Sequence, residues 1–389
     1  MEDWFPVFML ERWQSLHETS VRYLLSESGV EPPSWEVLRG LGVEPGLVEA
    51  VDLGYGWTKG WPPLREAIAR IPYRGLVGAE NIVVTAGGAA EANLITAMAY
   101  ARPGSVVLLD EPSYMQLHGL VARLGARPLP VPRSREEGYK LPVERLVEEI
   151  RRRRPSLLYI VNPSNPTGVV TPLGELRELA REAAAAGTVL LVDEVYRGLE
   201  HSAPPAPTVL EAAVEEGALA VSTGSLSKAA GLPGLRIGWV AASTGEAADR
   251  LWAAKDYTSI SPPRPSEALA RAALGAWERL TGRARAVARR NLRLLRAALE
   301  GLPVSVFTGG AGAYVLLHLP APGVAVAEHL LARHGLLAVP GEYMGAPCTL
   351  RVGLGAASEE TAREAYRVLA GGLREALDEL DESCDTSPV

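Results

Sequence analysis

The chain has 389 residues, of which 47% are apolar and 22% are charged, and its formal net charge is −7. This length and composition predict an ordinary globular protein with a large core and two domains. The acidic balance excludes the broad basic surface that nucleic-acid binding needs. No apolar run approaches the roughly eighteen residues of a membrane span, so we expect neither nucleic acid nor a membrane as a partner.

The amino-terminal residues lack the basic and apolar regions of a signal peptide, and we therefore expect a cytoplasmic protein. Two cysteines, Cys348 and Cys384, are too few for a disulfide framework and lack metal-like neighbours, so we interpret both as incidental. The histidines show no metal-ligand spacing, because His329 and His334 are five residues apart and are not expected to share a helix face closely. The sequence therefore predicts no metal site.

Regular patterns begin after an irregular first segment. Residues 21–25 have strand character and residues 26–29 are typical of a turn, and prolines followed by helically spaced apolar residues predict a helix over 62–71. Apolar runs of strand length then alternate with helical patterns. We predict strands at 81–86, 105–110, 156–161, 188–193, 218–222 and 236–242, and helices at 89–101, 116–124, 143–153 and 173–186.

This alternation is typical of a mostly parallel sheet between helices, and it predicts a large α/β domain over residues 46–264. Beyond a proline-rich linker at 261–265, long helical patterns with strands at 313–319 and 348–353 predict a smaller α+β domain over 265–380. The remaining ends are predicted to be an arm joining the small domain, residues 1–45, and a disordered tail, residues 381–389.

Lys228 is the most conspicuous candidate for chemistry. It follows a buried strand and lies among small hydroxyls and glycines, where a lysine that serves only solubility is unexpected, although a surface-loop lysine is the alternative. An amine, unlike a guanidinium, can lose its proton and condense with an aldehyde to form a Schiff base. The neighbouring Ser225 and Ser227 would suit a phosphate close to that amine.

Polar residues also follow three other predicted strands, at the carboxyl edge where open α/β sheets bind ligands. Residues 162–168 form two Asn-Pro turns after one strand. Asp193 ends the next strand, and a buried carboxylate there requires a cationic partner. Gly87 and Gly88 open the helix at 89, where backbone N–H groups can bind a phosphate.

In combination, these motifs resemble the class I and II aminotransferases over residues 24–369. The motifs are Asn-Pro-Ser-Asn-Pro-Thr-Gly at 162–168, Asp-Glu-Val-Tyr at 193–196, and Ser-Leu-Ser-Lys at 225–228 with an arginine eight residues beyond the lysine. The resemblance implies fold type I, with a mostly parallel seven-stranded sheet between helices in the large domain and a smaller α+β domain. It also implies pyridoxal 5′-phosphate (PLP) as cofactor and a homodimer. The implied reaction moves an amino group between an L-amino acid and a 2-oxo acid through an aldimine of Lys228.

The resemblance further implies a role toward the cofactor for each matching residue. Asp193 is expected to pair with the ring nitrogen, while Tyr196 and Asn165 donate to the phenolic oxygen. Tyr114 is expected to stack on the ring, with a core aromatic as the alternative, and Tyr55 to reach the phosphate of the partner subunit, which makes the active sites shared. The implied phosphate-binding residues are Gly87, Gly88, Ser225 and Arg236.

Toward the substrate, the resemblance implies that Arg351 binds the α-carboxylate, supported by Gly29 and Asn165; the alternative for Arg351 is a strand-edge arginine. Lys228, once released from the cofactor, is expected to carry the proton at the substrate Cα. Asp193 and Tyr196 complete the expected catalytic set.

Two other functional classes stay open. Fold-type I lyases and cyclases share the same cofactor residues, and residues 25–29 and 255–261 resemble a branch that acts on arginine-like amino acids. An acid at Asp256 would suit a cationic substrate, with a helix-end charge pair with Lys255 as the alternative. The third class, a non-enzymatic PLP-binding transcription regulator, requires a DNA-binding module, and the sequence has no helix-turn-helix pattern or basic patch.

Overall fold

The structure, a computed structural model, describes residues 5–202, 204–380 and 384. No helix among these residues is long and apolar enough to cross a membrane. The helices are α1 Met9–His17, α2 Trp35–Gly40, α3 Gly46–Glu49, α4 Pro62–Arg70, α5 Ala89–Tyr100, α6 Gln116–Arg123, α7 Val143–Arg153, α8 Leu173–Ala186, α9 Val209–Glu216, α10 Gly245–Lys255, α11 Arg264–Gly275, α12 Trp277–Ala298, α13 Gly323–His334 and α14 Glu359–Glu379.

The strands form a large sheet, a smaller sheet and a separate pair. They are β1 Tyr23–Leu24, β2 Ile82–Thr85, β3 Val106–Glu111, β4 Arg127–Pro132, β5 Leu157–Val161, β6 Val189–Asp193, β7 Ala220–Ser225, β8 Gly238–Ala242, β9 Ser305–Phe307, β10 Tyr314–His318, β11 Leu336–Leu337, β12 Val339–Pro340 and β13 Thr349–Gly353.

The large sheet has seven strands in the order β2-β8-β7-β6-β5-β3-β4. All pairs are parallel except those of β8, which is antiparallel to both of its neighbours. The predicted mostly parallel seven-stranded sheet is therefore confirmed. Sequence reasoning missed β4, in which Pro128, Pro130 and Pro132 interrupt the apolar pattern; this strand lies at the edge, where a residue without an N–H group is tolerated.

Helices cover both faces of the large sheet, so that its central strands are buried on both sides. In β5, Leu158 and Ile160 belong to the core beneath α4, α7, α8 and α9, whereas Leu157 and Tyr159 belong to the core beneath α5, α6 and α10. This two-sided burial explains why the strands appear in the sequence as continuous apolar runs. Where a polar side chain does lie inside a strand, as Thr223 does in β7, it is hydrogen-bonded to another side chain.

The smaller sheet, β12-β13-β10-β9, is antiparallel, and the amino-terminal residues are attached to it. Strand β1 pairs in parallel with β11, and Leu25 donates from its N–H to the Leu337 carbonyl at 2.8 Å and accepts from the Gly353 N–H at 2.7 Å. Trp13 Nε1 donates to the Ala338 carbonyl at 2.9 Å. Residues 5–31 form what we call the N-terminal arm. Helix α11 packs in the same core as α4, and the division into domains stays a prediction.

Cys348 and Cys384 form a disulfide with their Cα atoms 6.0 Å apart, so the interpretation of both cysteines as incidental is wrong. The pairing was hidden because 36 residues separate the two positions. Helix α14 spans most of that distance and returns the chain to the start of β13. The other residues of the predicted disordered tail, 381–383 and 385–389, lie outside the described part of the chain.

Candidate active site

A cavity of about 270 Å³ lies between the carboxyl edge of the large sheet and the N-terminal arm. Asp193 and Ser225, the last residues of β6 and β7, reach it from the sheet side. The structure thereby brings together residues predicted from several separate motifs. The predicted site residues that line the cavity are Tyr114, Asn165, Asp193, Tyr196, Ser225, Lys228, Arg236 and Arg351.

Lys228 lies in the loop after β7 with its side chain 29% exposed and its Nζ 4.0 Å from a carboxylate oxygen of Glu27. The loop is shaped by a hydrogen bond from the Ser227 N–H to Ser225 Oγ at 2.8 Å. Gly29 lies directly against the lysine, since a Cβ added there would be 3.4 Å from Lys228 Cδ. The amine is therefore held at the cavity wall, next to an arm residue that the sequence had linked to the same site.

Asp193 is 4% exposed and has no cationic partner within ion-pair distance among the described residues. Asn93 Nδ2 donates to its carboxylate at 2.8 Å and in turn accepts from Thr223 Oγ1 at 3.1 Å, while the Val195 N–H donates at 3.2 Å. Burial is the main cause that raises the pKa of Asp193, to about 6. A cation placed beside this carboxylate would relieve that cost.

Sequence reasoning missed Asn93 and Thr223. The available signal was an amide inside the otherwise apolar helix α5, since Asn93 is fully buried there. Buried amides are found with hydrogen-bond partners. A buried amide in a helix that packs on the sheet therefore predicts a hydrogen bond to a polar group there, such as a carboxylate at a strand end. Ser28, which accepts from the Tyr196 hydroxyl at 2.9 Å, was missed for want of any distinctive pattern.

Arg351 is 2% exposed in the middle of β13. Its Nη1 donates to Asn165 Oδ1 at 3.1 Å, and its Nη2 donates to the Ser26 carbonyl at 2.6 Å and to Gln14 Oε1 at 3.4 Å. Its Nε is buried without a hydrogen-bond partner, and no carboxylate pairs with the guanidinium among the described residues. A buried guanidinium in this state provides a binding position for a carboxylate.

The start of α5 meets the cavity close to Arg236. Ala89 and Ala90 line the cavity, and their N–H groups lack a carbonyl partner one turn earlier because the helix begins at Ala89. Gly88 has a φ of 70°, and a Cβ there would lie 3.1 Å from Arg236 Nη2, which itself donates to the Gly87 carbonyl at 2.7 Å. The glycines thus lie behind the cavity wall and allow the guanidinium to approach.

Besides the three predicted glycines described above, which contact lining residues but do not line the cavity themselves, two predicted positions lie away from it. Tyr55 is 91% exposed, so in this chain it contacts no part of the cavity wall. Asp256, expected to suit a cationic substrate, caps α10 and does not line the cavity either. The suitability of Asp256 for a cationic substrate stays a prediction. Three other carboxylates, which sequence reasoning missed, do line the cavity; these are Glu11, Glu18 and Glu27 of the N-terminal arm.

The expectation that His329 and His334 do not share a helix face closely is wrong. The rings of His329 and His334 lie 6.0 Å apart on α13, and a nitrogen of each comes within 4.8 Å of the other and of a Glu375 oxygen. Each ring faces its own carboxylate on α14, with His334 Nε2 3.0 Å from Glu375 and His329 Nδ1 3.6 Å from Glu379. The five-residue spacing therefore places both histidines toward one neighbouring helix.

Comparison with known proteins agrees with this geometry. A family model of class I and II aminotransferases matches residues 51–369. The chain is 31% identical over 366 residues to capreomycidine synthase of Streptomyces vinaceus, with 92% of each chain covered, and 33% identical over 339 residues to 2-aminoadipate transaminase of Thermus thermophilus, with 83% of this chain and 82% of that one covered. The crystal structure of a PLP-dependent aminotransferase from Streptococcus suis matches with a TM-score of 0.87 at 29% identity, covering 99% of this chain and 100% of that one. The chain therefore belongs to the class I and II aminotransferase family, whose cofactor is PLP.

The cavity fits that cofactor on three independent grounds. The N–H groups without partners at the start of α5 and the guanidinium of Arg236 form a binding position for a phosphate. The buried carboxyl of Asp193 lacks a cationic partner, and a protonated ring nitrogen would be one. The amine of Lys228 lies on the wall of the same cavity, where an aldehyde can be reached.

Proposed function

We propose that the protein is a PLP-dependent aminotransferase that moves an amino group between an L-amino acid and a 2-oxo acid. The observation that carries this proposal is that one cavity is lined by the Lys228 amine, the Asp193 carboxyl and the unpaired Arg351 guanidinium. Together these three groups can hold an aldehyde cofactor, keep its ring nitrogen protonated and bind an α-carboxylate beside it. The bound cofactor supplies an aldehyde that condenses with amines and a ring that accepts electrons.

The residues around the cavity divide the remaining work. Arg351 binds the substrate carboxylate, and Asn165 fixes the guanidinium plane through its 3.1 Å hydrogen bond. Tyr196, oriented by Ser28, directs its hydroxyl toward the cofactor oxygen. Lys228 Nζ acts as the base that removes the proton from the substrate Cα.

Around the cofactor, Ala89, Ala90, Ser225 and Arg236 are proposed to hold the phosphate, with Gly87 and Gly88 giving Arg236 its access. Tyr114 is proposed to cover one face of the ring. Displacement of water from the cavity by a bound ligand would strengthen each of these interactions, because charges interact more strongly in a low-dielectric surrounding.

We also propose a cytoplasmic homodimer with shared active sites. The support is Tyr55, which is 91% exposed although the family resemblance gives it a phosphate contact. In a dimer, the partner subunit would bury the Tyr55 ring against the partner's own cofactor. Tyr55→Phe should then weaken PLP retention in the dimer, measured by cofactor content after gel filtration, and a monomeric active enzyme would contradict the proposal.

The half-reaction tests the proposed chemistry directly. The PLP-loaded protein is incubated with single amino acids, without a 2-oxo acid, and the products are identified by mass spectrometry. Formation of pyridoxamine phosphate and the matching 2-oxo acid, reversed by adding a 2-oxo acid, is the expected result. Ammonia, pyruvate or a cyclised amino acid formed with PLP unchanged would contradict transamination.

Such a result would instead favour a second candidate, a PLP-dependent lyase or cyclase that acts on an arginine-like amino acid. The observation in its favour is the 31% identity with capreomycidine synthase across 92% of both chains, which includes the arm. The cavity residues serve either outcome equally, because both begin with loss of a substituent from the same Cα.

A further inference from the structure

A second group of charges lines the cavity on the side of the N-terminal arm. Glu11 lies in α1, Glu18 directly follows that helix, and Glu27 follows β1 after a short loop. All three line the same cavity as Lys228. Their carboxylates lie close enough to influence one another, since burial and then the charges of Glu27 and Glu11 raise the pKa of Glu18.

The other charged groups of the cavity already have counterparts under the proposed function. Arg351 faces the substrate carboxylate, Arg236 the phosphate, and Asp193 the ring nitrogen. Lys228, whose Nζ lies 4.0 Å from Glu27, is assigned to the cofactor and to the proton at Cα. It is the one lysine in the cavity lining, so even its free amine leaves at least two of the three arm carboxylates without a cation among the lining residues.

We propose that Glu11, Glu18 and Glu27 bind the cationic end of the substrate side chain. The substrate is then an α-amino acid whose side chain ends in an amine or a guanidinium. This inference rests on the proposed function, because it takes the α-carboxylate to lie on Arg351. An acidic side chain would meet like charges here, and an apolar one would displace water from these half-exposed carboxylates without offering them a cation.

An independent observation at the other end of the cavity supports a ligand of this form. Arg351 is 2% exposed and its Nε is buried without a partner, which marks a position for a ligand carboxylate. A molecule that satisfies both ends carries a carboxylate toward Arg351 and a cation toward the arm.

The arm holds the Glu11 carboxylate in a fixed position. Tyr114 donates its hydroxyl to Glu11 at 2.7 Å, which orients that carboxylate at the cavity wall. Leu10 and Trp13 of the same helix are buried against the small sheet. A cation that reaches Glu11 therefore meets a preorganised acceptor, and less conformational freedom is lost on binding.

The test uses arginine and citrulline, which have nearly the same shape but differ in charge. For the PLP-loaded wild-type protein we expect kcat/KM for arginine, or for ornithine or lysine, to exceed that for citrulline by about 100-fold. Glu18→Gln should lower the value for the preferred cationic donor by about tenfold and leave citrulline within about twofold. Glu44→Gln, an exposed carboxylate outside the cavity, is the matched control and should change neither.

Binding is followed in parallel by titrating the absorbance of the bound cofactor and by the melting temperature, so that the result does not depend on turnover. A preference for glutamate, aspartate or neutral donors, with pyridoxamine phosphate formed, would overturn this inference and leave the proposed function intact. Tight binding of arginine over citrulline without amino transfer would support the inference and overturn transamination. Equal binding of the two ligands by the wild-type protein would overturn the inference in either case.

Discussion

The two walls of the cavity differ in how they are built. The wall at the carboxyl edge of the large sheet includes residues that end buried strands, such as Asp193 and Ser225, and it holds the groups proposed to bind the cofactor. The opposite wall consists of an arm that contributes little regular structure and of one strand of the small sheet, which carries Arg351. Under the proposed function, cofactor chemistry would reside in the sheet edge, whereas substrate choice would reside in the arm and the small sheet.

The largest expected effect comes from the sheet edge and should be the same for every substrate. Lys228→Ala removes both the attachment of the cofactor and the base at Cα, so kcat should fall by about 10⁴-fold for all donors. Steady-state kinetics checks this, with cofactor content measured separately. Lys140→Ala, at an exposed lysine, is the control and should keep kcat within about twofold. Appreciable turnover by the Lys228 variant would contradict the assignment of the cofactor chemistry to the sheet edge.

Changing the opposite wall should act on substrate binding instead. Arg351→Lys keeps the charge but loses the planar pair of donors, so KM for α-amino acids should rise about 100-fold while cofactor content is unchanged. Agmatine, which is arginine without its carboxylate, should bind equally well to variant and wild type. An equal loss of agmatine binding would show that the substitution disturbs the site rather than the carboxylate contact, and circular dichroism melting guards against misfolding.

A third prediction concerns the stability of the cofactor-free protein. Burial raises the pKa of Asp193 from 3.8 to about 6, so the folded state binds its proton more tightly than the unfolded state. Its contribution to stability is therefore fully present below about pH 4 and is lost as pH rises to about 6, at a cost of about 3 kcal/mol. Asp193→Asn should make the cofactor-free protein more stable at pH 7 by up to this amount.

Denaturant unfolding of both cofactor-free proteins between pH 4 and pH 7 measures this difference. The gain from Asp193→Asn should become small near pH 4, where the folded carboxyl is protonated and the unfolded one is close to half protonated. A gain that does not vary with pH would mean that the effect arises from packing. With PLP bound the order should reverse, because the carboxylate then has its ring nitrogen.

The smallest expected effect lies where the two walls meet. Tyr114→Phe keeps the ring on the cofactor side but removes the hydroxyl that donates to Glu11 at 2.7 Å. Loss of one such hydrogen bond should lower kcat/KM for cationic donors by about threefold to tenfold. The value of kcat/KM for citrulline and the cofactor content should be unaffected. An equal loss of kcat/KM for citrulline would show that the hydroxyl acts on the cofactor instead of on the substrate side chain.

The sequence predicted which residues meet at the carboxyl edge of the large sheet, because strand ends carry their own signals. A continuous apolar run followed by Asp193, or by Ser225 and Lys228, marks both the strand and the place where it meets the cavity. Arm residues such as Glu18 and Ser28 carry no such signal, since a glutamate near a helix end is ordinary in any surface helix. Their position depends on the pairing of β1 with β11, about 310 residues apart along the chain.

The same reasoning accounts for the other differences. Strand β4 was missed because its alternate prolines are permitted only at a sheet edge, which the sequence does not identify in advance. Cys348 and Cys384 meet only because α14 folds back across the small sheet. In each instance, the structure depends on contacts between residues far apart along the chain, and the local sequence pattern does not contain these contacts.

The attachment of the arm to β13 has a consequence for the size of the substrate. Gly353 donates to the Leu25 carbonyl and Arg351 to the Ser26 carbonyl, so the guanidinium and the acidic arm are held together by hydrogen bonds on consecutive parts of one segment. The separation between the two proposed binding ends is therefore set by hydrogen bonds between the arm and β13. Under the inference above, a side chain would be selected by its number of methylene groups as well as by its charge, and changes in arm length between related proteins would alter which basic amino acid fits.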